Sequence, residues 1–157
     1  MKVLLAIDGS DHSAAAVDEI ARQHFSEDSE VRVISVVEPP YFPGTVSGIS
    51  GEGVNMNLYL DLGKTIHEQA RAVVNKAAAK LRARKLSVTT KVLSGLPKQM
   101  ILEEAEAFGA DLIAVGSHGH GMLDRFLLGS VSQAVALHAR CSVELVRSQK
   151  TPTSEAK

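Results

Sequence analysis

The stretch GSHGHGMLDRFLLGS, residues 116–130, holds four glycines, two histidines and a closing Gly-Ser pair. Glycine has no Cβ, so backbone N–H groups can come close to a ligand and positive φ is open. Gly116 and Gly119 follow a short apolar run, and Gly129-Ser130 stands where helical spacing begins. A helix mouth exposes N–H groups and about half a positive charge. Strand, glycine loop and helix mouth together are the parts of a phosphate site. Ser130 also has an explanation without a ligand. Ser130 and Gln133 have the spacing of a capping box, and a side chain at a helix mouth can serve either end.

The other reactive residue types give less. His118 and His120 form a His-x-His pair with no cysteine or carboxylate cluster beside it, which is thin for a metal. A place beside a nucleotide suits His118 better, and His120 is expected to face solvent. His12, His24, His67 and His138 are scattered and receive no role. Asp8, after the first apolar run, can cap the following turn, bond ligand hydroxyls or accept a phosphoryl group. The last reading lacks its usual setting, because the third strand ends in Leu93-Ser94-Gly95 with no aspartate. Cys141 has no activating neighbour in sequence and reads as a structural thiol. There is no Gly-x-x-x-x-Gly-Lys-Ser/Thr and no Gly-x-Gly-x-x-Gly after the first strand, which argues against a P-loop or a nicotinamide or flavin site. No Gly-x-Ser-x-Gly is present.

Position gives these residues their meaning. Residues 3–7 (VLLAI) form a continuous apolar run, as in a strand buried on both faces. Val17, Ile20, Ala21 and Phe25 then fall on one helical stripe, with Ser10 or Asp11 as candidate caps. Residues 31–37 are a second, β-branched strand. Residues 41–57 lack periodicity and form the longest loop, a length that is often functional. A long amphipathic helix runs from Leu58 to Leu81, although Thr65 and Glu68 resemble a capping box and allow a later start. Residues 87–93 read as a less buried strand, and Pro97 suits the first turn of the next helix. Gly109 ends that helix. Residues 111–115 are a buried strand, 130–140 a helix and 142–147 a last strand. The tail 148–157 has the composition of a disordered segment.

The resulting order, β-α-β-α-β-α-β-α-β, implies a single-domain α/β fold with a mainly parallel sheet and helices on both faces. In a Rossmann-like sheet of order 3-2-1-4-5 the switch point lies between strands 1 and 4, where ligands bind beyond the carboxyl ends. That order brings Asp8-Gly9-Ser10 and Gly116-Ser-His-Gly119 to one place.

The bulk properties agree. At 157 residues, 45% hydrophobic and 22% charged, the chain fits one globular domain. A net charge of −1 argues against a nucleic-acid partner. The run Lys80, Arg82, Arg84 and Lys85 reads as a solvated helix end. One cysteine precludes an intrachain disulfide and fits the cytoplasm. No stretch has the length of a membrane span or a signal peptide.

Taken together, the sequence resembles the universal stress protein family over residues 1–147. The spacing Gly116-x2-Gly119-x9-Gly129-Ser130 matches that family's nucleotide-binding motif. The flanking Leu127 to Val131, the start Ile7-Asp8-Gly9-Ser10 and the Gly95-x-Pro97 turn match too. The resemblance implies an ATP site between strands 1, 2 and 4. Asp8 would bind the ribose side with Ala6 and Ile7 near it, and Val36 would contact adenine. Val115, Gly116, His118 and Gly119 would line the nucleotide, and Gly129, Ser130 and Val131 would hold phosphates. It further implies Mg2+ or Mn2+ accompanying the phosphates, and a homodimer through the last strand, Ser142–Val146. Cys141-Ser142 stands where Cys-Pro is common, and Glu144 puts a charge in a usually apolar strand. The expected function is a stress-response regulator acting in its ATP-bound state. Slow ATP hydrolysis or phosphotransfer, with His118 as the nearby base, and a ligand-free dimerisation module are the alternatives.

Overall fold

Among the described residues nine elements alternate: β1 (Lys2–Ala6), α1 (Asp11–Arg22), β2 (Glu30–Val37), α2 (Met56–Arg82), β3 (Ser87–Ser94), α3 (Pro97–Phe108), β4 (Leu112–Gly116), α4 (Ser130–His138) and β5 (Ser142–Val146). The structure is a computed structural model and describes residues 1–39, 56–119 and 128–148. The loop expected over 41–57, His120, Gly121, Leu127 and most of the expected tail therefore lie outside the described residues, apart from the last two loop residues, which are already helical. The sheet order is β3-β2-β1-β4-β5 and every pairing is parallel, as the alternation of elements leads one to expect.

Successive side chains of a strand point to opposite faces, so a continuous apolar run serves two cores. Val3, Leu5, Val31 and Val33 pack against Ala16, Val17 and Ile20 of α1 and Val74, Ala78 and Leu81 of α2. Leu4, Ala6, Ile34, Ile113 and Val115 pack on the other face against Ile101, Ala105 and Phe108 of α3 and Val135 of α4. Edge strand β3 is only partly buried, which is why it alternates.

Helix boundaries follow local chemistry. Ser10 is the cap of α1, its hydroxyl accepting the Ser13 N–H at 3.2 Å, and Asp11 is an acid in the first turn. α2 starts at Met56, ahead of both expected starts. Thr65 lies inside it and donates to the Asp61 carbonyl at 2.9 Å, so its resemblance to a cap is not used. Pro97 opens α3 and Gly109, at φ 68°, closes it. The basic run at the end of α2 is occupied by the fold. Lys80 pairs with Asp18, and Arg82 and Arg84 donate to the carbonyls of Val88 (2.8 Å) and Ala21 (3.1 Å). Among the described residues no helix is long and apolar enough to cross a membrane.

One buried charge stands on α3. Glu104 is 6% exposed and its carboxylate accepts from Arg32 at 2.9 Å and Lys91 at 2.7 Å. Burial alone would push its pKa up. The hydrogen bonds and charges of Lys91 and Arg32 outweigh that and hold it below the ordinary value. The Arg32 guanidinium also lies 4.0 Å from the centre of the Phe108 ring.

Candidate functional site

From β1 the chain winds through β2 to β3, then returns to pair β4 on the other side of β1. Helices leave the two central strands on opposite faces, so their carboxyl ends part and leave a crevice. A cavity of about 430 Å³ opens there. Register builds its floor: Ala6 pairs with Ile34 and with Val115, so three apolar side chains form one row. Val36 extends the row, and Pro97 and Ile101 of α3 close one side.

All eleven residues expected at a site line this one cavity. Ala6, Ile7 and Asp8 come from the end of β1, and Val36 from β2. Val115, Gly116, His118 and Gly119 come from β4 and its continuation, and Gly129, Ser130 and Val131 from the mouth of α4. Sequence reading missed Ser13, Ile34, Pro97, Ile101 and Ser132, which line it as well. Ile34 lies in the strand read over 31–37 and Ile101 in the helix that follows Pro97, and such buried positions become a cavity wall only once the sheet and its helices are assembled.

The mouth of α4 differs from the expected capping box. Gly129 is the cap and has no side chain to close it, so Ser130 is the first helical residue and is exposed. The Gln133 N–H bonds the Gly129 carbonyl at 2.8 Å as the first rung. The N–H groups of Ser130, Val131 and Ser132 thus precede the ladder and point out of the helix mouth. Two bonds clamp this mouth to the end of β4: the Gly129 N–H to the Ser117 carbonyl at 2.8 Å, and the Ser132 hydroxyl to the Gly116 carbonyl at 2.7 Å.

The glycines answer first to packing. A Cβ on Gly116 would lie 2.7 Å from the backbone carbon of His12, and one on Gly129 would lie 3.2 Å from the Ser117 carbonyl oxygen. Neither has positive φ. At Gly116 the bare backbone is needed because α1 crosses the end of β4 closely, whatever the cavity holds; at Gly129 a methyl would fit only if Ser117 gave way by a few tenths of an ångström. Gly119 is different: among the described residues its Cβ would meet the Asp8 carboxylate, at 2.8 Å, and no backbone. Asp8 accepts the Ser10 N–H at 2.9 Å, so its expected turn-capping role is present beside its place in the cavity wall.

Behind the wall is a polar cluster that the sequence did not announce. Ser117 is fully buried, and its hydroxyl lies 3.1 Å from Nδ1 of His118 and 3.4 Å from Nδ1 of His12. The two imidazole centres are 5.1 Å apart. His12, given no role from sequence, therefore stands directly behind a cavity residue. Among the described residues no group of three or more His, Cys, Asp or Glu side chains is arranged for a metal. Cys141 lines a separate small cleft, and burial, helped by the Asp111 charge, pushes its thiol pKa up, which makes it less reactive.

The comparisons with known proteins agree with this architecture. The model of the universal stress protein family matches residues 1–147. Universal stress protein A homolog 1 of Coxiella burnetii is 34% identical over 141 residues, covering 90% of this chain and 92% of that protein. Among solved structures, the hypothetical protein MJ0577 superposes with a TM-score of 0.80 at 23% identity, covering 96% of this chain and 97% of that one. An Arabidopsis thaliana universal stress protein family protein with AMP bound gives a TM-score of 0.62 at 18% identity, covering 98% and 97%. A universal stress protein in complex with cAMP gives 0.58 at 24% identity, covering 94% and 97%. At these identities the structural matches establish the fold alone.

Proposed function

The chain belongs to the universal stress protein family, and from that premise we propose that it binds ATP in the cavity between β1 and β4 and acts as a cytoplasmic regulatory protein through the bound state. The observation that carries this is the convergence of an apolar floor, one carboxylate and a glycine-capped helix mouth on a single cavity of about 430 Å³. That volume falls in the usual range for small-molecule sites. The row Ala6, Ile34, Val115 with Val36 offers an apolar bed for adenine. Asp8 is a carboxylate acceptor for ribose hydroxyls. The N–H groups at Ser130, Val131 and Ser132 meet phosphate oxygens with the positive pole of α4 behind them. Two family relatives that hold AMP and cAMP support the adenine class.

A divalent cation, Mg2+ or Mn2+, fits this arrangement as a companion of the phosphates. The described side chains form no cage of their own for it, and Mg2+ commonly keeps water and takes phosphate oxygens as ligands. The cation would neutralise phosphate charge. The chain's part is to seat the base, hold the ribose and order the phosphates at the α4 mouth.

The bound form is proposed to be a homodimer. β5 is an edge strand whose Leu145 is 36% exposed, and an open edge asks for a cover that a second copy supplies by antiparallel pairing. Glu144 is compatible with this, because its carboxylate turns toward α1 and accepts two bonds from Gln23 at 2.9 Å.

Titration calorimetry with ATP and Mg2+, on wild type and Ser130→Glu, tests the site. Glutamate at the first helical position favours the helix, so the fold is kept while a negative charge enters the phosphate end. Two like charges about 4 Å apart in partly screened surroundings repel strongly enough to cost at least about tenfold in affinity. Adenosine, lacking phosphates, should bind both proteins alike. No ATP binding by wild type, or equal ATP binding by Ser130→Glu, overturns the reading. A monomeric mass in sedimentation with ATP present overturns its dimer half.

A further inference from the structure

The polar cluster behind the cavity reaches the backbone just past β5. The backbone N–H of Ser148, two residues beyond β5, donates to Nδ1 of His12 at 3.1 Å. A backbone N–H can only donate, so His12 must present an unprotonated Nδ1 to it. The Ser117 hydroxyl, 3.4 Å from the same nitrogen, has one proton to give and an alternative acceptor in Nδ1 of His118 at 3.1 Å. Ser117 is at the same time tied by its N–H to the Val146 carbonyl (2.7 Å) and by its carbonyl to the Gly129 N–H (2.8 Å). One imidazole therefore joins the segment leaving β5 to the wall of the cavity.

We infer that His12 is a proton-operated latch on the backbone at Ser148: neutral, it holds the Ser148 N–H against the end of β4; protonated, it releases it. Protonation turns Nδ1 from acceptor into donor. An N–H then faces the Ser148 N–H, that bond is lost, and the Ser117 hydroxyl is left with His118 as its acceptor. Imidazole is the side chain whose ordinary titration spans pH 5 to 8. Among the described residues, the charged and titratable groups on the segments that meet it are Asp11 beside it in α1, Asp8 before α1, Arg147 next to Ser148, and His118, whose ring centre lies 5.1 Å away. The latch stands independently of what the cavity binds, because it is read from the chain's own hydrogen bonds.

The test is the amide of Ser148, followed by NMR on full-length protein at about pH 5.5 and about pH 8, to either side of the ordinary imidazole range. In wild type its exchange protection, corrected for the intrinsic pH dependence of exchange, should fall at least about fivefold on acidification, as expected for one net hydrogen bond. The fall should follow the ring-nitrogen shifts of His12. In His12→Asn the amide oxygen of the side chain keeps an acceptor that does not titrate, so protection should persist at both values. In His12→Ala it should be low at both. Wild-type protection that ignores the His12 titration overturns the latch even if neither variant folds. A fall that persists in a folded His12→Asn protein overturns it equally.

Discussion

Replacing Gly116 by alanine should destabilise the protein with no ligand present. The new Cβ would sit 2.7 Å from the backbone carbon of His12, and 2.9 Å from that residue's Cβ and carbonyl oxygen. Non-bonded carbon atoms rest at about 3.5–4.0 Å, so the first turn of α1 must retreat by roughly 1 Å. Backbone cannot swing aside as a side-chain tip can, and Ser10 and Ser13 tie this turn to itself. Overpacking of this kind costs about 1–3 kcal/mol. Alanine returns about 0.4–1 kcal/mol by restricting the unfolded chain, because the φ of Gly116 is not positive and alanine can adopt it. The expected net loss is about 1–2 kcal/mol. For a chain of this size that lowers Tm by about 2–8 °C. Urea unfolding followed by circular dichroism measures it as a fall in midpoint at unchanged slope. Gly119→Ala is the control. Among the described residues its Cβ meets the Asp8 carboxylate, at 2.8 Å, a side-chain tip that yields more readily than backbone even though it accepts the Ser10 N–H, so the loss should be smaller than at Gly116. A Gly116→Ala protein as stable as wild type would refute the packing account and return this glycine to the ligand. Equal losses at both positions would also refute it.

Two further expectations follow from buried polar groups. Glu104→Gln should cost about 1–3 kcal/mol near neutral pH by breaking the bonds to Arg32 and Lys91. Because the folded pKa of Glu104 lies below the ordinary 4.5, its contribution is present above that value and lost as pH falls through the folded one. The stability gap between wild type and variant should thus be constant from pH 6 to 8 and close in acid, and denaturant melts showing a pH-independent gap would contradict the assignment. Ser132→Ala should cost about 1–2 kcal/mol by removing the 2.7 Å bond to the Gly116 carbonyl. It should also weaken nucleotide binding, since that bond is half of the clamp on the α4 mouth. Unchanged melting would show that the Gly129 bond to Ser117 suffices alone.

Much of the fold was legible because its signals are local and redundant. The apolar run of β1 and the stripes of α1 and α3 each state an element type and a buried face. The alternation of types then permits few sheet orders. Element ends were less legible. Thr65 and Ser130 both carry capping residues at the right spacing, yet neither caps, because whether a hydroxyl reaches an N–H depends on where the helix begins in three dimensions. The site was legible as a motif spacing. The reason for its glycines was not, because a clash between Gly116 and His12 joins residues more than a hundred positions apart.

By itself, then, the sequence determined that this chain is a doubly covered parallel sheet whose first and fourth strands lead into Asp8 and the Gly116–Gly119 segment, since hydrophobic period and turn chemistry act over a few residues. Only the tertiary structure decided that Ile34 and Ile101 become cavity walls, that Ser132 rather than Ser130 secures the α4 mouth, that Glu104 is charged inside the fold, and that His12 stands between His118 and Ser148. Each of these depends on strand register and on the closeness with which helices cross strand ends, and those distances are fixed by packing many remote side chains at once.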